Sequence, residues 1–243
     1  MRFVLSLDSW PALREFASEE RSHLGAAASL AELAGVDLLR LSINEDLQPV
    51  RETDVDSLRR VARAFELRMP VSQNLLKVPL EARPDRVVLV GDLHATSGPA
   101  PPVDARTSGA ALGSVLRSLE DAGIHSCVRV APDLDAIRAV HAQGVKDVEL
   151  FTGYLVDLPE DERRGALVTL GDTARLASKL RLSIAVAGGL DDQNIGEVLA
   201  AAPSVERVVF GRGLARRSLL VGLDRAVRDF RNRMREEARD SMR

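Results

Sequence analysis

The sequence predicts an α/β fold, a single (β/α)8 barrel spanning residues 1–243. Three observations predict it. Eight short apolar runs rich in Val, Ile and Leu alternate strictly with segments whose apolar residues recur at helical spacing, the pattern of buried parallel strands joined by helices. The 243 residues, 45% of them hydrophobic, suit one such barrel and contain no linker rich in Gly and Ser. The turn after the first run reads Asp8-Ser9-Trp10-Pro11, without the glycines that a doubly wound nucleotide-binding sheet carries there.

The expected strands are residues 3–7, 37–41, 67–71, 86–90, 126–130, 147–151, 182–187 and 207–210. The expected helices are 24–34, 54–65, a weakly patterned 72–81, 110–122, 134–142, 160–179, 193–202 and 214–236. At Ala34-Gly35-Val36, Ala122-Gly123-Ile124 and Gln143-Gly144-Val145 one chemistry repeats: glycine ends a helix in the left-handed conformation and the next strand follows at once. Residues 91–108, with Pro99, Pro101 and Pro102, form the longest irregular stretch and follow the fourth strand, which puts them on the C-terminal face of the barrel. Residues 237–243, of mixed charge, read as a frayed tail.

Composition narrows the partners. A net charge of −3 gives no electrostatic drive toward nucleic acid or an anionic membrane. The one cysteine, Cys127, excludes an internal disulfide and a cysteine-based metal cluster, and suits a reducing cytoplasm. There is no signal-peptide pattern and no apolar stretch near about 18 residues, so a soluble, cytoplasmic protein is expected. His and Cys show no metal-ligand spacing, and neither a metal nor a cofactor is expected. The four histidines are His23 at a helix start, His94 in the long loop, His125 at a strand start and His141 on an outer helix. Of these, only His94 is placed to reach the barrel mouth.

In a barrel the strand C-termini and the loops that follow converge on one opening. Gly188-Gly189 after the seventh strand and Gly211-Arg212 after the eighth are the candidate phosphate-binding residues: glycine lets backbone N–H groups approach phosphate oxygens, a helix start adds positive potential, and Arg212 adds a fork of donors. Strand alternation points Glu149 inward as a candidate base or counter-charge, and places Arg40 with Ser42 on one face and Cys127 with Arg129 on another. Buried arginine requires a partner, so Arg40, Arg129 and Glu149 are expected to form one charge cluster, either a structural network or an anion site. Ser6, Asp8, Asn44, Ser72 and Thr152 complete the expected lining.

The order of elements and several phrases resemble pyridoxine 5′-phosphate synthase, a barrel enzyme that condenses 1-deoxy-D-xylulose 5-phosphate with 3-amino-2-oxopropyl phosphate. The similar phrases are Leu7-Asp8 with Leu13-Arg14, Ala31-Glu32-Leu33-Ala34-Gly35-Val36-Asp37, Glu45-Asp46, Asp121-Ala122-Gly123-Ile124, Glu149 with Thr152-Gly153, Gly189-Leu190 with Asn194, and Gly211. The resemblance implies phosphorylated substrates and a homo-oligomer. Where the family carries acid–base groups, this chain departs. Ser6 and Ser9 stand for an Asn and a His, Ser42, Asn44 and Leu47 for His and Arg residues, and Ser72 or Gln73 for a catalytic Glu. Leu93 and His94 stand for a Lys and an Arg, Gly188 for a His, and Arg212 for another. Each lost acid–base group typically costs about 10²–10⁴ in rate. The expectation is therefore a divergent family barrel that binds a phosphorylated small metabolite with altered or lost catalysis. The alternatives are an authentic synthase with rearranged residues, His94 among them, and a non-catalytic interaction module.

Overall fold

The computed structural model describes residues 1–12, 23–92 and 100–240, with side chains to 237. Eight parallel strands pair in sequence order and close, β1 against β8, into a barrel. They are β1 (Arg2–Ser6), β2 (Leu38–Ser42), β3 (Phe65–Pro70), β4 (Arg86–Val90), β5 (His125–Val130), β6 (Asp147–Phe151), β7 (Ser183–Ala187) and β8 (Arg207–Phe210). The helices are α1 (Ser9–Ala12), α2 (Leu24–Ala34), α3 (Glu52–Val61), α4 (Lys77–Ala82), α5 (Gly109–Asp121), α6 (Leu134–Ala142), α7 (Glu160–Lys179), α8 (Ile195–Ala201), α9 (Arg212–Val221) and α10 (Leu223–Asp240), with a 3₁₀ turn at Gly153–Asp157.

The main apolar core lies between the strands and the helical ring, where Leu39, Leu41, Leu67, Val128 and Phe210 on outward strand faces meet Ala28, Leu58, Leu112, Ile137 and Phe230. Phe210 stacks edge-on against both Phe3 and Phe230, with ring centres 5.0 and 4.8 Å away. This pins α10 over the closing strand pair. At Gly35 (φ 116°) the chain leaves α2 as its N–H bonds back to Ala31 and Glu32, the expected glycine exit.

Three expectations about elements are corrected. The periodic segment 54–65 ends as helix at Val61; Ala62 is extended (ψ 138°) and Phe65 opens β3, because Phe65 fits both the helical spacing of the preceding residues and a strand start. Of 72–81 only Lys77–Ala82 joins a helix, which continues one residue past the expected end. The segment 214–236 is two helices, parted at Gly222, whose φ of 83° interrupts the continuous ladder. The four-residue α1 and the 3₁₀ turn at Gly153–Asp157 have no counterpart in the periodic pattern.

The barrel interior is polar. Small apolar groups line parts of it, Val4, Leu38, Ala187 and Val209 on one side and Val88, Val90 and Cys127 on another. Between them run ionised side chains, where a barrel of this class is more often filled by Val, Ile and Leu.

Candidate functional site

Strand register builds that polar interior. Arg40 stands opposite Glu66 across β2–β3, Glu66 opposite Arg86 across β3–β4, and Arg129 opposite Glu149 across β5–β6. Each pair therefore points into the barrel at neighbouring heights. Seven side chains join in one continuous chain of ion pairs. Arg207 meets Asp147, and Asp147 meets Arg86 at 2.9 Å, a contact without hydrogen-bond alignment. Arg86 meets Glu66 at 3.5 Å, and Glu66 meets Arg40 at 2.5 Å. Arg40 then reaches Glu149 at 2.5 Å, and Glu149 meets Arg129 at 2.6 Å. Arg40, Arg129, Glu66 and Glu149 are at most 1% exposed.

Both carboxylate oxygens of Glu149 accept from guanidinium groups, Oε1 from Arg129 and Oε2 from Arg40. Burial alone would raise its pKa, but Arg40 and Arg129 more than offset burial and hold the carboxyl well below the usual range. Glu149 is thus ionised at neutral pH, and both oxygens are occupied. Arg129 also donates from Nη1 to the carbonyl of Ala100 at 2.7 Å and lies over the Phe151 ring, 5.6 Å from its centre. The Val103 N–H bonds to the Arg129 carbonyl, and the Gly91 N–H to that of Pro101. Residues 100–103 of the long loop therefore fold across the C-terminal ends of β4 and β5.

Above this cluster a cavity of about 650 Å³ opens at the C-terminal face. Arg40, Arg68 and Arg129 form its floor, and Ser6, Asp8, Ser9, Gly188, Gly189, Gly211, Arg212 and Arg216 line its sides. Asp8 accepts from the Ser6 hydroxyl, the Ser42 N–H and hydroxyl, and Arg68 at 3.1 Å. Gly188 and Gly189 have φ of 114° and 65°, the left-handed region that favours glycine, and a Cβ on Gly188 would sit 2.7 Å from the Gly153 backbone nitrogen. Asn194 holds this loop, donating to the Gly189 carbonyl at 2.8 Å and accepting from the Asp191 N–H. Gly211 caps α9, so Arg212 and Gly213 start a helix at the cavity edge, where partial positive charge gathers.

The structure brings together Ser6, Asp8, Arg40, Arg129, Gly188, Gly189, Gly211 and Arg212 in the lining, with Glu149 behind the arginines. Ser42 bonds to Asp8 outside the lining. Asn44 is spent on the Gln48 backbone, Ser72 on Glu45, and Thr152 on the Gly188 carbonyl, so these three do not line the cavity. His94 lies outside the described residues. His23, His125 and His141 are not among the lining residues. Sequence reasoning missed Glu66, because the third strand was started at Leu67, and it passed over Arg68 within that strand and Arg86, Asp147 and Arg207 as strand starts. Carrying the period-2 alternation through every strand would have found all five.

Among the described residues, no group of three or more His, Cys, Asp or Glu could hold a metal ion, and no helix is long and apolar enough to cross a membrane. Residues 4–236 match the family model described as "Pyridoxal phosphate biosynthesis protein PdxJ". The chain belongs to the pyridoxine 5′-phosphate synthase family. Relatives named pyridoxine 5′-phosphate synthase include one from Synechococcus sp., 33% identical over 211 residues (86% of this chain, 88% of the relative). Another, from Geotalea daltonii, is 28% identical over 231 residues, covering 94% and 96% of the two chains. Solved barrels show the same fold at low identity. Thiamine phosphate pyrophosphorylase from Pyrococcus furiosus has a TM-score of 0.61 at 13% identity, covering 97% of this chain and 95% of that one. Phosphoribosyl anthranilate isomerase from Thermus thermophilus has a TM-score of 0.57 at 15% identity, covering 97% and 99%. Within the synthase family, this member has arginine at three positions of its barrel floor.

Proposed function

We propose that this synthase-family barrel binds a phosphorylated small metabolite at its C-terminal mouth and that its chemistry departs from the condensation of its relatives. The phosphate is held by the backbone N–H groups of Gly188, Gly189 and Gly211, by the start of α9 and by Arg212. Glu149 serves as the counter-charge that orients Arg40 and Arg129. One observation carries the reading: the described lining offers five guanidinium groups and two glycine loops, while its carboxylates, Asp8 and Asp191, are engaged by donors. Repeated proton transfer at carbon and hydroxyl needs a group that exchanges protons near neutral pH, and guanidinium does not. We read the protein as a cytoplasmic homo-oligomer. The free, buried Cys127 supports the compartment, and the exposed Leu219 and Leu220 of α9 support the assembly.

Thermal shift with inorganic phosphate, sugar phosphates and pyridoxine 5′-phosphate tests binding. Stabilisation by a phosphorylated compound is expected, and its absence across the panel overturns the proposal. A second reading, the condensation itself, is favoured by the names of the relatives that cover most of the chain. Incubation with the two family substrates decides between them. Product formation at rates typical of enzymes, about 1 s⁻¹ or more, would establish the second reading.

A further inference from the structure

The charges at the centre of the barrel do not balance. Five arginines, Arg40, Arg68, Arg86, Arg129 and Arg207, meet four carboxylates, Asp8, Glu66, Asp147 and Glu149. The surplus positive charge faces the cavity: Arg40, Arg68 and Arg129 line it, and of the four carboxylates only Asp8 does.

Donors on that floor are also left over. The Arg40 side chain is 2% exposed, Nε and Nη2 are spent on Glu66 and Glu149, and Nη1 has no hydrogen-bond partner among the described residues. Arg68 gives Nη2 to Asp8 and leaves Nε buried and unpartnered. A buried donor without an acceptor costs about 1–3 kcal/mol, and more when charged, so native interiors leave few of them. Burial pushes the Arg68 guanidinium down to about 10; Asp8 pulls it up, while Arg129 and Arg40 push it down. Arg68 lies where an added negative charge would be welcome.

We propose that this floor is a second anion subsite, which takes a carboxylate of the same ligand whose phosphate the glycine loops hold. The inference rests on the phosphate reading above and names the substrate class: a small phosphorylated hydroxy acid or oxo acid, its carboxylate buried and its phosphate at the rim. Charge selects carboxylate over a second phosphate. One negative charge closes the surplus, whereas a phosphate monoester carries about −1.5 to −2 at neutral pH and would overshoot it. Shape agrees as well, because a planar carboxylate matches the flat guanidinium forks of Arg40 and Arg68, both of which line the cavity.

Calorimetry with matched pairs tests it: 3-phosphoglycerate against glycerol 3-phosphate, and 4-phosphoerythronate against erythritol 4-phosphate. In the unaltered protein at least one acid is expected to bind ten-fold or more tightly than its alcohol twin. Arg68→Met, which breaks only the partly exposed pair with Asp8, should erase that preference by weakening the acid far more than its alcohol twin. Arg212→Ala should weaken acid and alcohol by the same factor. Equal affinity for acid and alcohol in the unaltered protein overturns the carboxylate subsite and leaves the phosphate reading standing. So does a preference that survives Arg68→Met. If none of the four compounds binds, the carboxylate subsite fails, and the thermal-shift panel above decides the phosphate reading by itself. The comparison within the unaltered protein decides the matter even if a variant does not fold.

Discussion

Arg40 Nη2 lies 2.5 Å from Glu149 Oε2, tying β2 to β6 across the barrel between residues 109 positions apart in the chain. Glu149 is fully buried and the Arg40 side chain is only 2% exposed, so removing one partner strands the other in a medium of low dielectric. Arg40→Met is expected to lower stability by about 3–5 kcal/mol in chemical denaturation. Glu149→Gln should lower it less, since the amide still accepts. The double variant should fall short of the sum of the two losses by more than about 0.5 kcal/mol, the signature of direct coupling. Additive losses would mean that the two charges do not sense each other.

Acid sensitivity follows from the same carboxylate. In the unfolded chain a glutamate titrates near about 4.3; in the folded barrel Arg40 and Arg129 overcome the effect of burial and hold Glu149 well below that. The unfolded state therefore takes up the proton first as pH falls. The stabilisation is fully present above the unfolded value, declines below it, and is exhausted once pH passes the folded value. Melting temperature measured from pH 7 to pH 3 should drop less steeply in Glu149→Gln than in the parent protein. Parallel curves would count against the assignment.

Gly188→Ala tests the phosphate loop. Its φ of 114° is strained for a residue with a side chain, and the new methyl would meet the Gly153 nitrogen, a backbone atom with little room to retreat. A loss of about 1–3 kcal/mol in stability is expected, together with loss of the thermal shift given by phosphorylated compounds. A variant that keeps the full ligand shift would show that the loop does not shape the site.

Arg212, nominated by the sequence for phosphate, and Ser72, nominated for the lining, offer a contrast. Arg212 is exposed at the cavity edge, where it makes no ion pair among the described residues, while Ser72 is bonded to Glu45 outside the lining. Arg212→Ala is expected to weaken phosphate affinity by about ten-fold, as loss of one charge-assisted contact would, and to leave the melting temperature unchanged. Ser72→Ala should change ligand affinity by less than about two-fold. Titration calorimetry at two salt concentrations checks both, and the Arg212 effect should shrink at the higher one.

Much of this was legible in the sequence because periodicity is a physical signal. Strands of β-branched residues buried on both faces, and glycine exits such as Gly35, identify the barrel before any coordinates do. The cluster of Arg40, Arg129 and Glu149 was also legible, since an inward arginine needs a carboxylate. Glu66 was not, because a strand start is set by neighbouring strands as much as by its own residues; Phe65 reads equally well as the end of a helix. Nor could sequence separate Ser6, which lines the cavity, from Asn44 and Ser72, which are spent on local bonds. That choice depends on which acceptor lies nearest in space. The break at Gly222 shows the reverse case, in which one glycine outweighs an otherwise continuous helical pattern.

The chain of ion pairs also limits how the barrel can be divided. Two of its links, Arg86 to Asp147 and Arg40 to Glu149, join the first four strands to the last four. A cut in the loop after β4 would sever both, leaving Arg40 and Arg86 to share Glu66 alone, and Asp147 and Glu149 with one arginine each. Each half then holds only part of the pairing that fixes its arginines. A half-barrel taken from a relative would have to supply matching charges at those two links, so changes to this interior are expected to come in compensating sets.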